Sequence, residues 1–354
     1  MRIVSERLHN QRLSSAGLKE AVDVVRWLGA VQAQDFAAAK WALGLRMRSA
    51  TDASIEEAYN EGQILRTHLM RPTWHFVAPD DIRWLLELTA PRVNARAGPN
   101  FRKYELDDGV FKKTNKVLTN ALKGGKHLTR AELRAALNRS GIAADDIIRL
   151  AHIMLRAELD GVVCSGRRRG KQFTYALIDE RVAPAGALTR DEALAKLTSR
   201  YFTSHGPATL QDFVWWSGLT VSDAKRGVQM IDTQLRTELV HDKSYWLPRS
   251  KTTPQPGSAY LLPAFDEYNV AYKDRAAVVE LNDTHPQLST WDLLGPTVIV
   301  DGKVAGNWKA TLAQQSVTIT VTPARTLKKS EKLAITKAAD RYATFLGLPF
   351  AVHI

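Results

Sequence analysis

Three groups of residues in this chain have types and spacing suited to chemistry: two glutamines, a carboxylate pair and an arginine triplet. Gln32 and Gln34 flank Ala33. Residues two apart do not share a face on a helix, but they do in an extended or turning segment. Gly29 and a break in the apolar periodicity there favour the second case, so both side chains would project toward one ligand. Each amide offers a carbonyl acceptor and an NH2 donor. An amide is far too weak a base to deprotonate water outright, but it can orient a water and stabilise developing positive charge. A helix-cap or loop hydrogen-bonding role fits the same spacing. Asp266-Glu267, beside Tyr268, is a carboxylate pair that could supply acid–base work. Adjacent residues usually point apart, which favours a structural role for this pair.

The arginines belong to a wider charge pattern. The 354 residues carry 49 Lys+Arg against 37 Asp+Glu, a net charge of +12 with a pI of about 9.7. Residues 92–139 hold twelve Lys/Arg against four Asp/Glu, a local +8 that includes Arg130 and Arg134. A second focus is Gly166-Arg167-Arg168-Arg169-Gly170-Lys171. Each such cation can replace a counterion on a phosphate, so binding to a polyanion should weaken steeply with salt. Nucleic acid is the leading partner class for such a charge balance. A basic enzyme whose surplus charge only aids solubility is the alternative.

Several classes are excluded. A 45% hydrophobic composition rules out a largely disordered chain. No stretch of about 18 apolar residues occurs, so no membrane span is expected. The N-terminal MRIVSERLHNQRLSS lacks the apolar core of a secretory signal. A single cysteine, Cys164, permits no intramolecular disulfide, and a cytoplasmic, nucleoid-associated location is expected. Paired Cys, His-Glu-x-x-His, a Walker loop and Gly-x-Ser-x-Gly are all missing, so neither a metal nor a cofactor is expected.

The elements that must position these residues follow a repeated order. Periodicity predicts helices at Leu18–Leu28, Asp35–Leu45 and Ser54–Tyr59, then strands at Ile64–Leu69 and Thr73–Val77. On the second strand Arg71, Thr73 and His75 share one face and Trp74 and Phe76 the other. That polar face could bind phosphate or line a ligand site, or it could be an internal hydrogen-bond network. Asp80–Ala90 reads as a helix closed by Pro91. A capping box at Thr129–Glu132 opens a helix to Arg139, followed by a helix over Ala144–Leu159. Strands at Val162–Ser165 and Gln172–Leu177 then flank the arginine-rich tip. A further capping box at Thr189–Glu192 starts a third run: helices, a turn at Ser217-Gly218 and a wing strand at Tyr245-Trp246-Leu247. Helices followed by a hairpin is winged-helix order, and it occurs three times. Residues 250–257 read as a linker. Beyond them, Asp301-Gly302 marks a type I′ hairpin, Val317, Ile319 and Val321 alternate in a half-buried strand, and a helix follows near Lys328–Leu346.

Taken in order, the segments resemble the tandem winged-helix DNA glycosylases of the AlkZ and YcaQ type. The marks are Leu28–Gln34, Leu65–Val77, Tyr201–Leu219, Leu261–Arg275 and Val298–Lys309. Gln32-Ala33-Gln34 matches the Gln-x-Gln signature of the AlkZ-like branch, and Asp35 is one place too late for the Asp of the YcaQ-like branch. The resemblance implies an α+β, mainly α fold with three tandem winged-helix motifs and a small C-terminal β-barrel-like module. The expected divisions are 1–100, 101–187, 188–250 and 258–354.

The resemblance also implies a monomeric, monofunctional enzyme on double-stranded DNA, with Gln32 and Gln34 as catalytic residues. It would excise cationic N7- or N3-alkyl purines, including bulky genotoxin adducts or crosslinks, in DNA repair or in self-resistance to an alkylating natural product. Arg167, Arg168, Arg169, Lys171, Arg71, Thr73, His75, Arg130 and Arg134 are the expected DNA contacts. The competing reading is a non-catalytic winged-helix transcriptional regulator. No heptad-like dimerisation helix is visible for it, and the C-terminal β-rich region has no clear role there.

Overall fold

A computed structural model describes residues 3–15, 17–249, 257–279 and 293–354. The 250–257 linker lies almost entirely outside the described residues. Along the chain the elements are α1 (Ile3–Asn10), α2 (Ala21–Leu28), β1 (Val31–Gln32), α3 (Phe36–Gly44), α4 (Asp52–Asn60), β2 (Leu65–Leu69), β3 (Thr73–Val77), α5 (Pro79–Lys103) and α6 (Asp108–Leu122). Then come β4 (Leu128–Thr129), α7 (Arg130–Arg139), α8 (Ile147–Leu159), β5 (Val163–Ser165), β6 (Thr174–Leu177) and α9 (Ile178–Arg181). They are followed by α10 (Arg190–His205), α11 (Leu210–Ser217), α12 (Val221–Met230), β7 (Leu235–Val240), β8 (Lys243–Pro248) and β9 (Ala259–Leu262). The last are α13 (Glu267–Val270), β10 (Thr297–Val300), β11 (Lys303–Leu312), β12 (Val317–Pro323), α14 (Lys329–Leu346) and β13 (Phe350–His353). Among the described residues no helix is long and apolar enough to cross a membrane.

Two compact units result. One comprises residues 57–194 with 217–219; the other joins 1–56, 195–216 and 220–354. In the first, β2 and β3 pair antiparallel with Thr67 opposite His75, and β4, β6 and β5 form a small sheet in that order. Helix α8 is tied to β2 by Glu158. Its buried carboxylate accepts the His68 main-chain N–H at 2.8 Å and meets the His68 ring in a short contact. The capping box at Thr129 is present, with Glu132 reaching back to the Thr129 N–H at 2.7 Å.

The expected stop at Pro91 is not observed. Helix α5 continues through Pro91 and Pro99 to Lys103. An interior proline costs about 3 kcal/mol or more in a helix. Here one unbroken buried stripe, Leu86, Ala90, Val93, Ala97 and Phe101, offsets that cost, because these residues recur at helical spacing on both sides of Pro91. Helix α6 also went unread from the sequence. Its buried Phe111, Thr114, Leu118 and Leu122 have clear helical spacing, and Asp107 caps it at 2.7 Å from the Val110 N–H. The crowd of exposed lysines around them obscured the pattern.

In the second unit, β9 to β13 form one open five-stranded sheet in the order β13-β12-β11-β10-β9. Among the described residues it does not close on itself, so the expected barrel-like module is an open sheet. Its outermost pair, β12–β13, is parallel and the others are antiparallel. The Asp301-Gly302 turn takes the positive φ angles, 49° and 82°, that a type I′ hairpin demands. Helix α14 covers the sheet and reaches α3. The Trp41 ring lies 5.0 Å from both Tyr342 and Phe345, and its indole N–H donates to Leu261 O at 2.7 Å.

Gly44 makes that approach possible, because a Cβ there would come within 2.8 Å of the Phe345 ring. Gly44→Ala should therefore destabilise the protein by about 1–3 kcal/mol, as overpacking of a rigid ring does, in equilibrium denaturant unfolding. Cys164 provides a second check. It is fully buried and burial pushes its thiol up to about 12. The native protein should not react with a disulfide reagent at pH 8, and one thiol should appear on unfolding.

Candidate active site

The glutamine segment is extended, as its spacing predicts. Helix α2 ends at Gly29, whose φ of 85° is one that side-chain-bearing residues avoid. Asp35 starts α3, its carboxylate accepting the Ala38 N–H at 3.0 Å. Between them Val31 and Ala33 are buried, Gln32 is half-buried and Gln34 is exposed. That alternation is the strand period, and it sets both amides on the face away from the core.

Beneath this strand lies a buried polar cluster that belongs to the same unit. The Gln32 main-chain N–H donates to Glu267 Oε1 at 2.9 Å. The Trp216 indole N–H donates to Glu267 Oε2 at 2.9 Å. His205 Nε2 lies 3.4 Å from Oε2, within ion-pair distance but off the line of a hydrogen bond. Glu267, Trp216 and His205 are all fully buried. Trp216 in turn explains Gly29: a Cβ at position 29 would sit 3.3 Å from the edge of its indole.

The neighbouring carboxylate turns the other way, as adjacent residues should. Asp266 takes a bidentate pair of hydrogen bonds from Arg46, both at 2.8 Å. Arg46 also donates to Gln11 O, Gln11 Oε1 and Ala42 O, so all five of its N–H groups are used. Gln11 donates onward to the Tyr272 hydroxyl at 2.9 Å, which donates to His205 O at 2.7 Å. Burial pushes the hydroxyls of Tyr272 and Tyr201 up, so both remain neutral donors. Arg7 stacks 3.5 Å over the Tyr272 ring, with Asp212 3.9 Å from its guanidinium. Sequence reading found the Asp266-Glu267 pair and assigned it a structural role. The contact of Glu267 with Gln32 crosses 235 positions of chain and left no local signal.

The family model for AlkZ-like DNA glycosylases matches residues 25–345. The chain belongs to the AlkZ-like DNA glycosylase family. A Streptomyces sahachiroi protein named "Interstrand DNA cross-link repair glycosylase" is 26% identical over 96% of this chain and 94% of its own. The solved structure of Streptomyces sahachiroi DNA glycosylase AlkZ has the same fold, with a TM-score of 0.80. It is 22% identical, and the match covers 99% of this chain and 98% of that one. The AlkZ-like match thus spans the glutamine segment, Trp216 and the Asp266-Glu267 pair alike.

The basic clusters at 92–139 and 167–171 of this AlkZ-like chain lie in the other unit. Every Lys and Arg of 92–139 is exposed except Arg130, which is half-buried. The tip between β5 and β6 is more constrained than its composition implies. Arg167 pairs with Glu61, and Arg169 donates to Glu132 at 2.9 Å and to His127 O at 2.8 Å. The Arg168 guanidinium lies 5.0 Å over the Phe173 ring, and Lys171 is exposed. The Thr129 N–H and the Arg169 guanidinium hold the Glu132 carboxyl down to about 2, so it stays anionic at neutral pH. On the β2–β3 hairpin, Arg71 and Thr73 are half-buried. His75 is fully buried, with Nδ1 2.9 Å from Thr73 O.

The Arg46–Asp266 pair generates a stability prediction. Removing one partner of a buried ion pair strands the other, at a cost of about 3–5 kcal/mol. Asp266→Ala should lower the unfolding free energy by about that amount in urea titration.

Proposed function

We propose that this AlkZ-like chain is a monofunctional glycosylase for cationic, alkylated purines in duplex DNA. The observation that carries the reading is the extended Gln32-Ala33-Gln34 segment, which turns two amides outward. The one carboxylate next to it in sequence, Asp35, is engaged in capping α3. Amides cannot generate hydroxide, so the substrate must supply its own leaving tendency.

A purine alkylated at N7 or N3 does so. It is already positively charged, and when the C1′–N bond breaks, the electron pair passes to the base, which leaves neutral. The positive charge passes to the sugar, shared between C1′ and the ring oxygen. The carbonyl oxygens of Gln32 and Gln34 face that charge and orient a water. The water adds to C1′ and its proton passes to solvent, leaving an abasic site and no lysine Schiff base. The name of the Streptomyces sahachiroi relative supports extending the substrate range to bulky adducts and crosslinks.

The helix–helix–hairpin runs are read as winged helices, and their cations as the grip on the DNA backbone. Arg167 and Arg169 would exchange their carboxylate partners for phosphates, and Arg168 and Lys171, with Arg130 and Arg134 on α7, would add phosphate contacts beside them. That exchange is easy, because exposed ion pairs contribute only about 0–1 kcal/mol each. Arg71 and Thr73 are assigned phosphate contacts, with His75 bracing the hairpin from within.

The test is a duplex carrying a single N7-methylguanine, treated with alkali after incubation to reveal abasic sites. The wild-type protein should release the base, and a uracil duplex should stay intact. Gln34→Ala should lower single-turnover excision roughly a hundredfold or more while retaining duplex affinity. Excision of uracil as fast as N7-methylguanine would sink the mechanism.

A further inference from the structure

The turn that follows α6, Lys123-Gly124-Gly125-Lys126, is exposed throughout. Gly124 and Gly125 have φ angles of 78° and 70°, which glycine adopts without strain. A Cβ at either position would meet no atom within 4 Å, so the glycines serve the backbone angle and not packing. That backbone turns two successive N–H groups toward one point, and the point holds the carboxylate of Glu180 on α9. The Gly125 N–H donates to Oε2 at 2.6 Å and the Gly124 N–H to Oε1 at 3.1 Å. These two N–H groups, with Lys123 beside them, hold the Glu180 carboxyl below the usual carboxylate range. Successive N–H groups converging on one anion form the kind of concavity in which loops bind phosphate. The turn runs directly into His127, which braces the arginine-rich tip. Its Nδ1 accepts the Arg167 main-chain N–H at 2.7 Å, and its carbonyl accepts Arg169 Nη2 at 2.8 Å. Turn, His127 and tip all belong to one compact unit.

We propose that Lys123-Gly124-Gly125-Lys126 is a binding site for a phosphate group of the duplex backbone, and that Glu180 occupies it until the duplex arrives. The inference rests on the duplex reading given above and adds residues which that reading does not include. A carboxylate and a phosphodiester each present two terminal oxygens and one negative charge, so Glu180 stands where a backbone phosphate would. Glu180 is exposed, and water takes over its hydrogen bonds once it swings out. Lys123 and Lys126 then neutralise the incoming phosphate. The tethered carboxylate also selects the source of the phosphate. A small free anion must compete with a group held at high local concentration. A phosphate delivered by a duplex already gripped at the tip is itself held at high local concentration, so it competes on equal terms.

Glu180→Gln removes the competing charge. Asp179→Asn removes a charge one residue away, from a carboxylate that pairs with Arg83, and controls for general attraction. Gly124→Ala with Gly125→Ala leaves the charge unchanged and disfavours the φ angles. Duplex affinity at fixed salt, thermal melting and amide spectra of glycine-labelled protein are measured, with an unmodified duplex and inorganic phosphate as separate probes. The proposal expects Glu180→Gln to bind the duplex roughly three- to tenfold more tightly, and Asp179→Asn to stay within about twofold of wild type. Adding the two alanines to Glu180→Gln should abolish the gain. The duplex should move the Gly124 and Gly125 amides of the wild type, and inorganic phosphate should move them in Glu180→Gln. Equal gains in Glu180→Gln and Asp179→Asn overturn the proposal, and so does a gain that survives the two alanines. A lower melting temperature in Glu180→Gln with unchanged affinity marks Glu180 as a tether for α9 and overturns it as well. Amides moved by inorganic phosphate but not by the duplex overturn the assignment to the DNA backbone. If the wild type binds no duplex at all, the duplex reading fails by itself. The phosphate titration of Glu180→Gln then still decides whether the turn is an anion site.

Discussion

A carboxylate can be buried only where donors are already waiting for it, and Glu267 is buried completely. An unpaired ionised side chain in that place would cost several kcal/mol. Two N–H groups remove most of the cost, one from the main chain at Gln32 and one from the indole of Trp216. The rest of the site follows from this requirement. The Gln32 N–H must point inward and be free of any helix, so the chain between α2 and α3 must be extended. Trp216 must reach the carboxylate, and its indole leaves only 3.3 Å for a Cβ at position 29. Once the inward N–H is fixed, strand alternation carries both glutamine amides outward.

Much of this was legible in the sequence, and the failures have physical causes. Gln32-Ala33-Gln34 could be read as extended because Gly29 interrupts a helical period, a local effect. The Thr129–Glu132 and Thr189–Glu192 capping boxes and the Asp301-Gly302 turn are equally local, and all appear as read. The early stop at Pro91 came from weighing one residue's backbone penalty without the buried stripe that continues past it. The expected barrel failed because strand alternation shows that a strand is half-buried, not whether the sheet's first and last strands meet. Glu267 was seen but not understood. Its partners are residues 32, 205 and 216, and no spacing rule links them.

The basic tip adds a different lesson about charge. Composition counts Arg167 and Arg169 as available cations, but the fold gives each a carboxylate neighbour, Glu61 and Glu132. Such pairs add little stability in water. They do hold long side chains in defined places, so less conformational entropy would be lost if a phosphate replaced the carboxylate as proposed. The net charge of +12 sets how much the protein is drawn to a polyanion. The pairs determine where Arg167 and Arg169 are held.

The division of the chain has a consequence for how the protein comes into being. Residues 57–194 supply nearly all of one compact unit without interruption, so that unit can fold while the chain is still being synthesised. The other unit is made of three separate stretches, and Gln32, among the earliest residues to emerge, waits for Trp216 and then Glu267. The Gln32 N–H gains its carboxylate acceptor only when that last stretch arrives. A nascent chain can thus carry its arginine-rich tip fully formed before Glu267 has been added beneath the glutamine strand. On the reading proposed above, the cations would be in place early in synthesis and the buried cluster under the two glutamines only near its end.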